Sequence, residues 1–213
     1  MRHTAATMAL AEPWHCSVAP IAARDIPPDL AERFRTRPDV VEELSDGLRK
    51  LGVESSLDLA GYVSNNERFV HAGPVLTVRY APKRMRNNEQ HLGHEQIGAA
   101  AVSGCVVLSD ARGCDGSVLG GNAAATIRGG GAAVYVLDGL ARDVDEITAT
   151  GLIVLAAQFG VRTGRQTTQA IAIGEPMTFV RTYVASGDVA VVNRTGLVVI
   201  PAWVTWDQIR GLI

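Results

Sequence analysis

The chain has 213 residues, of which 47% are hydrophobic and 20% charged, and its formal net charge is −2. These values are typical of one ordinary globular domain, and a charge near zero gives no electrostatic reason to expect nucleic acid or an anionic membrane as a partner. Three scattered cysteines predict a reduced, cytoplasmic chain without a disulfide framework. No apolar run approaches the length of a transmembrane helix.

The first 26 residues predict a leader that is not a signal peptide, because the apolar run at 8–10 is very short. We expect residues 1–26 to be disordered or to pack on a neighbouring subunit, although Trp14 and His15 could reach a site. Residues 27–213 are expected to form a single domain.

Several helices and strands are predicted along this domain. Residues 27–51 are expected to be helical, with Gly52 as the stop, and 54–63 to form a short helix. His91, His94 and Glu95 follow a polar loop and suggest surface positions on a helix more than a metal site. Further strands are predicted at 75–81, 104–110, 152–157, 170–173, 177–184, 189–193 and 197–200, followed by a helical tail at 202–213.

The stretch from Leu119 to Glu146 organises the rest of the chain. It begins with a turn, Gly120-Gly121-Asn122, and continues as a small-residue helix over Ala123–Arg128. A buried strand is predicted over 132–137, with a turn at Asp138-Gly139 and the pair Arg142-Asp143 directly after it.

This order of elements has a chemical use. A glycine turn that leads into a helix presents free backbone N–H groups, which bind a phosphate or a carboxylate. Arg142 could clamp a carboxylate or stabilise an enolate oxygen, and Asp143 could ligate a hard cation. The spacing alone favours a plain loop, helix and strand carrying a surface ion pair, because such motifs also match by chance.

Several motifs also carry a family resemblance. Gly120 is followed after 22 positions by Arg142-Asp143 and then Val144-Asp145-Glu146-Ile147. The segments at 73–78, 104–110 and 187–201 match the same family in the same order. Over roughly residues 50–201 the chain resembles the family that contains the ribonuclease E activity regulator A and the 4-hydroxy-4-methyl-2-oxoglutarate aldolases.

The resemblance implies an α/β fold built on one β/β/α swivelling-type domain, here with N-terminal helices. It also implies a homotrimer or a pair of trimers, with the active site near the cleft between subunits. As a lyase of this type, the chain would cleave a C–C bond in a small 2-oxo acid. Gly120, Gly121, Asn122 and Ala123 would hold the carboxylate, Arg142 the 2-oxo oxygen, and Asp143 would ligate Mg²⁺ or Mn²⁺.

One position departs from the family pattern. Aldolase members usually carry Glu or Asp directly after the first glycine of the turn, where this chain has Gly121. In the family this acid supports the water shell of the metal. Asp115, in the preceding loop, is the one nearby acid that could compensate for Gly121.

Three functions are therefore considered. The first is the metal-dependent lyase, with oxaloacetate decarboxylation as a natural side activity. The second is a non-catalytic binding protein like the ribonuclease regulators. The third is a repurposed enzyme of specialised biosynthesis, whose larger substrate would use the room that Gly121 leaves.

Overall fold

The computed structural model describes residues 14–86 and 89–213 and has the mixed α/β fold that the sequence predicts. Asn87 and Asn88 of the polar loop lie outside the described residues, as do residues 1–13 of the leader. The helices within the described residues are α1 (Pro28–Thr36), α2 (Val40–Lys50), α3 (His94–Ala100), α4 (Gly121–Gly129), α5 (Val144–Ala149) and α6 (Trp206–Arg210). None of these helices is long and apolar enough to cross a membrane.

The strands of the described residues form one large sheet and one separate hairpin. They are β1 (Ser17–Val18), β2 (Ser56–Asp58), β3 (Val63–Ser64), β4 (Val70–Pro82), β5 (Val106–Asp110), β6 (Val134–Ala141), β7 (Ile153–Phe159), β8 (Thr168–Ile173), β9 (Met177–Phe179), β10 (Thr182–Val184), β11 (Val189–Asn193) and β12 (Gly196–Ile200). The large sheet runs β2-β12-β11-β4-β5-β6-β7-β3, with β8 paired to β4 and to β1, while β9 and β10 form the hairpin.

Strand β4 belongs to two parts of the sheet at once. Its first half, 70–74, pairs antiparallel with β11, and the following residues, 75–79, pair parallel with β5. The parallel strands β5, β6 and β7 are each connected by a helix, as βαβ units require. The carboxyl ends of β5 and β6 therefore lie at the same edge as the start of α4.

Alternation of side chains divides the interior into layers. On β4, Leu76 and Val78 face helices α3, α4 and α5, whereas Val75 points to the opposite face. That opposite face packs against β9, β10 and one side of the β11-β12 hairpin. The other side of this hairpin packs against α1, α2 and α6, with Phe34 and Leu44 fully buried there. The arrangement is a β/β/α core with the N-terminal helices as an additional layer.

The described part of the leader packs on its own chain. Ser17 and Val18 form β1, which pairs parallel with β8. The indole Nε1 of Trp14 donates to the carbonyl of Ala170 at 2.7 Å. Residues 14–18 therefore extend the sheet beside β8.

The structure corrects three of the predicted elements. Residues 54–63 contain β2 and β3 instead of a helix, because Leu57 and Leu59 are both buried and alternate with a period of two. The Asp138-Gly139 pair lies inside β6, where a register shift in the pairing with β7 accommodates it as a bulge. Residues 177–184 form the hairpin of β9 and β10, with Val180 at a positive φ of 54° in the turn between them.

Candidate functional site

The glycine turn and the exit of β6 are held side by side. Gly120 is extended, with φ −143° and ψ −178°, and α4 begins at Gly121, two residues earlier than predicted. The backbone N–H of Arg142 donates to the carbonyl of Leu119 at 2.9 Å, and Leu119 forms a parallel bridge with Ala141. These contacts place Arg142-Asp143 directly beside the start of α4.

Asp143 adopts a left-handed backbone with φ 58° and ψ 48°, and it occupies the N-cap position of α5 without a capping hydrogen bond from its side chain. Asp tolerates this conformation better than most residues other than glycine and asparagine. Its Oδ2 lies 3.2 Å from Nε of Arg142 and accepts a long hydrogen bond from the N–H of Gly121, 3.4 Å away. Both side chains remain about one third exposed, at 31% for Arg142 and 33% for Asp143. The pair is thus ordered by the turn yet open to a ligand.

Gly120 is glycine because the ion pair lies against it. A Cβ at this position would lie 2.7 Å from Oδ2 of Asp143 and 3.3 Å from Nε of Arg142. Any side chain here would push the two functional groups away from the helix N-terminus.

Gly121 is equally crowded, by a different side chain. A Cβ at this position would lie 2.6 Å from Cβ of Glu146 and would also collide with Oε2 of the same residue. Glu146 lies on the first turn of α5, three residues after Asp143, and the two carboxylates lie against the neighbouring glycines Gly121 and Gly120, respectively. The space that an acidic side chain at position 121 would use is therefore occupied by the carboxylate of Glu146.

This finding changes two expectations about the departure from the family pattern. Asp115 does not line the cleft, because its carboxylate pairs with Arg162 on the exposed loop. Gly121 does not enlarge the site, since Glu146 fills the room. The sequence signal for Glu146 is its spacing of three from Asp143, directly after the Arg142-Asp143 pair.

A cleft of about 520 Å³ opens over the glycine turn. Every residue proposed from the sequence as a ligand-binding group lines it: Gly120, Gly121, Asn122, Ala123, Arg142 and Asp143. Arg165 lines it as well, from the loop that precedes β8.

The opposite wall comes from the N-terminal segment and the approach to α3. Trp14 lines the cleft and stacks on the ring of His91, with the ring centroids 5.1 Å apart and the planes 5° from parallel. His91 is buried and lies 3.1 Å from the carboxylate of Glu89. His91 lies before α3 and not on its surface, which corrects the surface-helix expectation for this residue.

His94 also lies in this wall, although we had expected a surface position for it. It is the first residue of α3, and its Nε2 lies 2.9 Å from the carbonyl oxygen of Val118. Burial lowers the pKa of its imidazole below the ordinary value of 6.5. His94 and Val118 both line the cleft.

The donor set suits a hard cation that keeps most of its water. Mg²⁺ is commonly bound through one or two carboxylates, with water completing its shell. Asp143 lines the cleft, and no donor among the described residues reaches its Oδ1. The carboxylate of Glu146 is not among the groups that line the cleft, but it lies against Gly121 of the same turn. Within the described part of the chain, no group of three or more His, Cys, Asp or Glu side chains is arranged to hold a metal.

Solved structures with the same fold include three that cover most of both chains. One is described as novel cellulases from microbes associated with the gut ecosystem, at 18% identity, a TM-score of 0.76, and 90% of this chain and 86% of that chain covered. RraAS2 of Streptomyces coelicolor, an unusual member of the RNase ES inhibitor RraA protein family, gives 20% identity, a TM-score of 0.71, and 88% and 92% coverage. The RNA-processing inhibitor RraA from Thermus thermophilis gives 22% identity, a TM-score of 0.61, and 78% and 94% coverage.

At these identities the likeness shows the fold alone. No curated protein matches the sequence. The family described as RraA-like, Aldolase/RraA, matches residues 41–199, a range that contains the glycine turn, the Arg142-Asp143 pair and Glu146. Because this match extends over most of the sequence, the chain belongs to the RraA-like family, which includes lyases as well as inhibitors of RNA processing.

Proposed function

We propose that the protein is a lyase that cleaves a C–C bond in a small 2-oxo acid through an enolate. The observation that carries this proposal is the placement of Arg142 and Asp143 against the start of α4, inside one cleft. Free backbone N–H groups can bind the carboxylate of a 2-oxo acid, and a guanidinium can stabilise the negative oxygen of its enolate. A carboxylate beside them can hold a divalent metal ion.

The start of α4 would hold the substrate carboxylate. The first N–H groups of a helix have no acceptor within it, and here the N–H of Gly121 is shared with Asp143. Those of Asn122 and Ala123 remain for a ligand, and the helix dipole adds to their attraction for an anion.

Arg142 would bind the 2-oxo oxygen. Its Nε is the atom that pairs with Asp143, and no acceptor among the described residues takes the two terminal nitrogens. A guanidinium held in this way donates to the oxygen that becomes negative when the C–C bond breaks. The pairing with Asp143 fixes the orientation of the group before the substrate arrives.

Asp143, assisted by Glu146, would hold Mg²⁺ or Mn²⁺. When bound, such an ion supplies Lewis-acid polarisation of the same 2-oxo oxygen. The hydrogen bond from the N–H of Gly121 holds the carboxylate of Asp143 at the turn. Glu146 places a second carboxylate against Gly121.

The test is pyruvate release by the full chain from oxaloacetate and from 4-hydroxy-4-methyl-2-oxoglutarate, with Mg²⁺ and with a chelator. We expect release from at least one substrate, dependent on the metal. A folded protein that releases no pyruvate from either substrate under any metal condition would overturn the proposal.

A second candidate is a non-catalytic binding protein, as in the inhibitor members of the family. The exposed aromatic residues Trp203 and Tyr183 favour it, because exposed aromatics are common in protein interfaces. Stable capture of a ribonuclease by the purified protein, unaffected by Arg142→Ala, would support this role. A third possibility is the repurposed enzyme, whose larger substrate would use the room beside Gly121. Glu146 occupies that room, so the structure does not favour this function.

We also propose that the chain assembles with itself as a homotrimer or a pair of trimers, as the family resemblance implies. A trimer would bring a neighbouring surface to the open side of the cleft. The molar mass of the native protein by light scattering tests this, and a monomer at working concentration would contradict it.

A further inference from the structure

The proposed retro-aldol cleavage needs a base, and the roles given to Arg142, Asp143 and Glu146 do not include one. A 4-hydroxy-2-oxo acid loses its hydroxyl proton when the C3–C4 bond breaks. General bases within hydrogen-bond reach of such a proton are most often histidines. His94 is one of the residues that line the cleft.

The structure fixes which ring nitrogen of His94 carries hydrogen. Nε2 lies 2.9 Å from the carbonyl oxygen of Val118, and a carbonyl oxygen can only accept. Nε2 is therefore the protonated nitrogen of the neutral ring, and Nδ1 carries the free lone pair. Among the described residues no hydrogen-bond donor reaches Nδ1.

His94 and Arg142 are tied to adjacent residues of the same segment. His94 bonds the carbonyl of Val118, and the backbone N–H of Arg142 bonds the carbonyl of Leu119. Both residues line the same cleft, together with Gly120. The imidazole and the guanidinium are thus positioned by the segment that leads into the glycine turn.

The charges around His94 favour its neutral form. Burial lowers its pKa most, and the nearby cation of Arg165 lowers it further. The bond to the Val118 carbonyl and the carboxylate of Glu95 act in the opposite direction but do not outweigh burial. Arg142 and Asp143 line the cleft as an ion pair of opposite charges. The ring is therefore free of an extra proton at neutral pH and available as a base.

We propose that His94 is the catalytic base that accepts the hydroxyl proton of a 4-hydroxy-2-oxo acid, an inference that rests on the proposed lyase function. Nδ1 takes the proton from the C4 hydroxyl, and the O–H electron pair forms the new C4 carbonyl. The C3–C4 bond breaks, and its electrons form the enolate whose oxygen faces Arg142. The imidazolium then holds the proton that C3 takes up to give pyruvate.

Oxaloacetate provides an internal comparison. Its C4 is a carboxylate without a hydroxyl proton, so the C3–C4 bond breaks with loss of CO₂ and no base is needed. Both reactions share the enolate and the contacts of Arg142 and Asp143. Only the cleavage of the hydroxy acid requires His94 as a base.

The experiment compares the two reactions in wild type, His94→Gln and His71→Gln. Glutamine can still donate to the Val118 carbonyl but cannot accept a proton. His71 is a matched control, because its Nε2 lies 2.7 Å from the Gly104 carbonyl, its pKa is also lowered by burial, and it does not line the cleft. We expect His94→Gln to lose at least about 100-fold in kcat/KM for the hydroxy acid while oxaloacetate decarboxylation keeps most of its rate.

Equal losses on both substrates, or no loss on either, would overturn the role of His94 and leave the lyase proposal standing. A wild-type protein without activity on either substrate would instead overturn the lyase proposal and the base with it. The pH profile of wild type provides a test without any variant. The kcat/KM for the hydroxy acid should fall below pH 6.5 as His94 takes up one proton. A pH profile identical to that of decarboxylation would contradict the inference.

Discussion

Glu146 occupies the space beside Gly121 that a side chain on that residue would need. Their backbones approach so closely that a Cβ on Gly121 would lie 2.6 Å from Cβ of Glu146. The first turns of α4 and α5 therefore pack through a glycine, and a carboxylate remains at the turn although the sequence has lost the usual acid there.

This packing predicts that Gly121→Ala destabilises the protein. The clash involves Cβ of Glu146, so one of the two helices must shift, which costs about 1–3 kcal/mol for overpacking of this kind. For a chain of this size, the melting temperature should fall by roughly 2–4 °C for each kcal/mol of lost stability. Gly129→Ala is the control within α4, since a Cβ there meets nothing within 4 Å. Equal melting temperatures for Gly121→Ala and wild type would refute the close approach.

Removing either carboxylate of the proposed metal site should weaken metal binding to different degrees. Asp143→Asn preserves the left-handed backbone, because asparagine tolerates a φ of 58°, and it should abolish Mg²⁺-dependent turnover. Glu146→Gln should raise the Mg²⁺ concentration for half-maximal activity by about 10–100-fold. Asp115→Asn, on the exposed loop, should leave the Mg²⁺ titration unchanged. A Glu146→Gln titration that overlays wild type would exclude Glu146 from the site.

Loss of the Arg142 guanidinium should stop turnover without unfolding the chain. Arg142→Ala should lower kcat by at least about 100-fold, as expected when a donor to a developing oxyanion is removed. The Arg142 side chain is partly exposed and forms one ion pair, so the melting temperature of the variant should differ little from that of wild type. Arg162→Ala removes another arginine of an exposed ion pair and is the control. Full activity of Arg142→Ala would rule out the assigned role.

Two partly buried histidines, His71 and His94, should make folding stability depend on pH near neutrality. Burial lowers the pKa of His71 and of His94 below 6.5, so the unfolded chain binds these protons more tightly than the folded chain. The free energy of unfolding should therefore be highest above pH 6.5 and fall as the pH drops below it. In His71→Gln the fall should be smaller. Urea unfolding of both proteins at several pH values between 5 and 8 measures the difference, and parallel curves would contradict it.

The turn, α4 and the Arg142-Asp143 pair were predictable from sequence because glycine spacing and helical periodicity are local signals. The bulge at Asp138-Gly139 was not, since a turn dipeptide inside a strand depends on how β7 pairs with β6. Residues 54–63 were mistaken for a helix because tertiary pairing with β12 and β7 decides their conformation.

The cleft depends on contacts between residues far apart in the chain, which no local pattern contains. Trp14 bonds Ala170 across 156 positions, and His94 bonds Val118 across 24. Glu146 had a local signal, its spacing from Asp143, but its packing on Gly121 required the structure. The sequence therefore predicted the turn side of the cleft and suggested that Trp14 could reach a site, whereas the places of His91 and His94 in the opposite wall emerged only from the fold.

Arg142 should stabilise the enolate of a 2-oxo acid, and deuterium exchange measures this without knowledge of the natural substrate. Pyruvate is incubated in D₂O with Mg²⁺ and the protein, and loss of its methyl proton signal is followed by NMR. We predict exchange catalysed by wild type and Arg162→Ala, and none above background with Arg142→Ala. Equal exchange by wild type and Arg142→Ala, or none by folded wild type, would contradict the enolate mechanism.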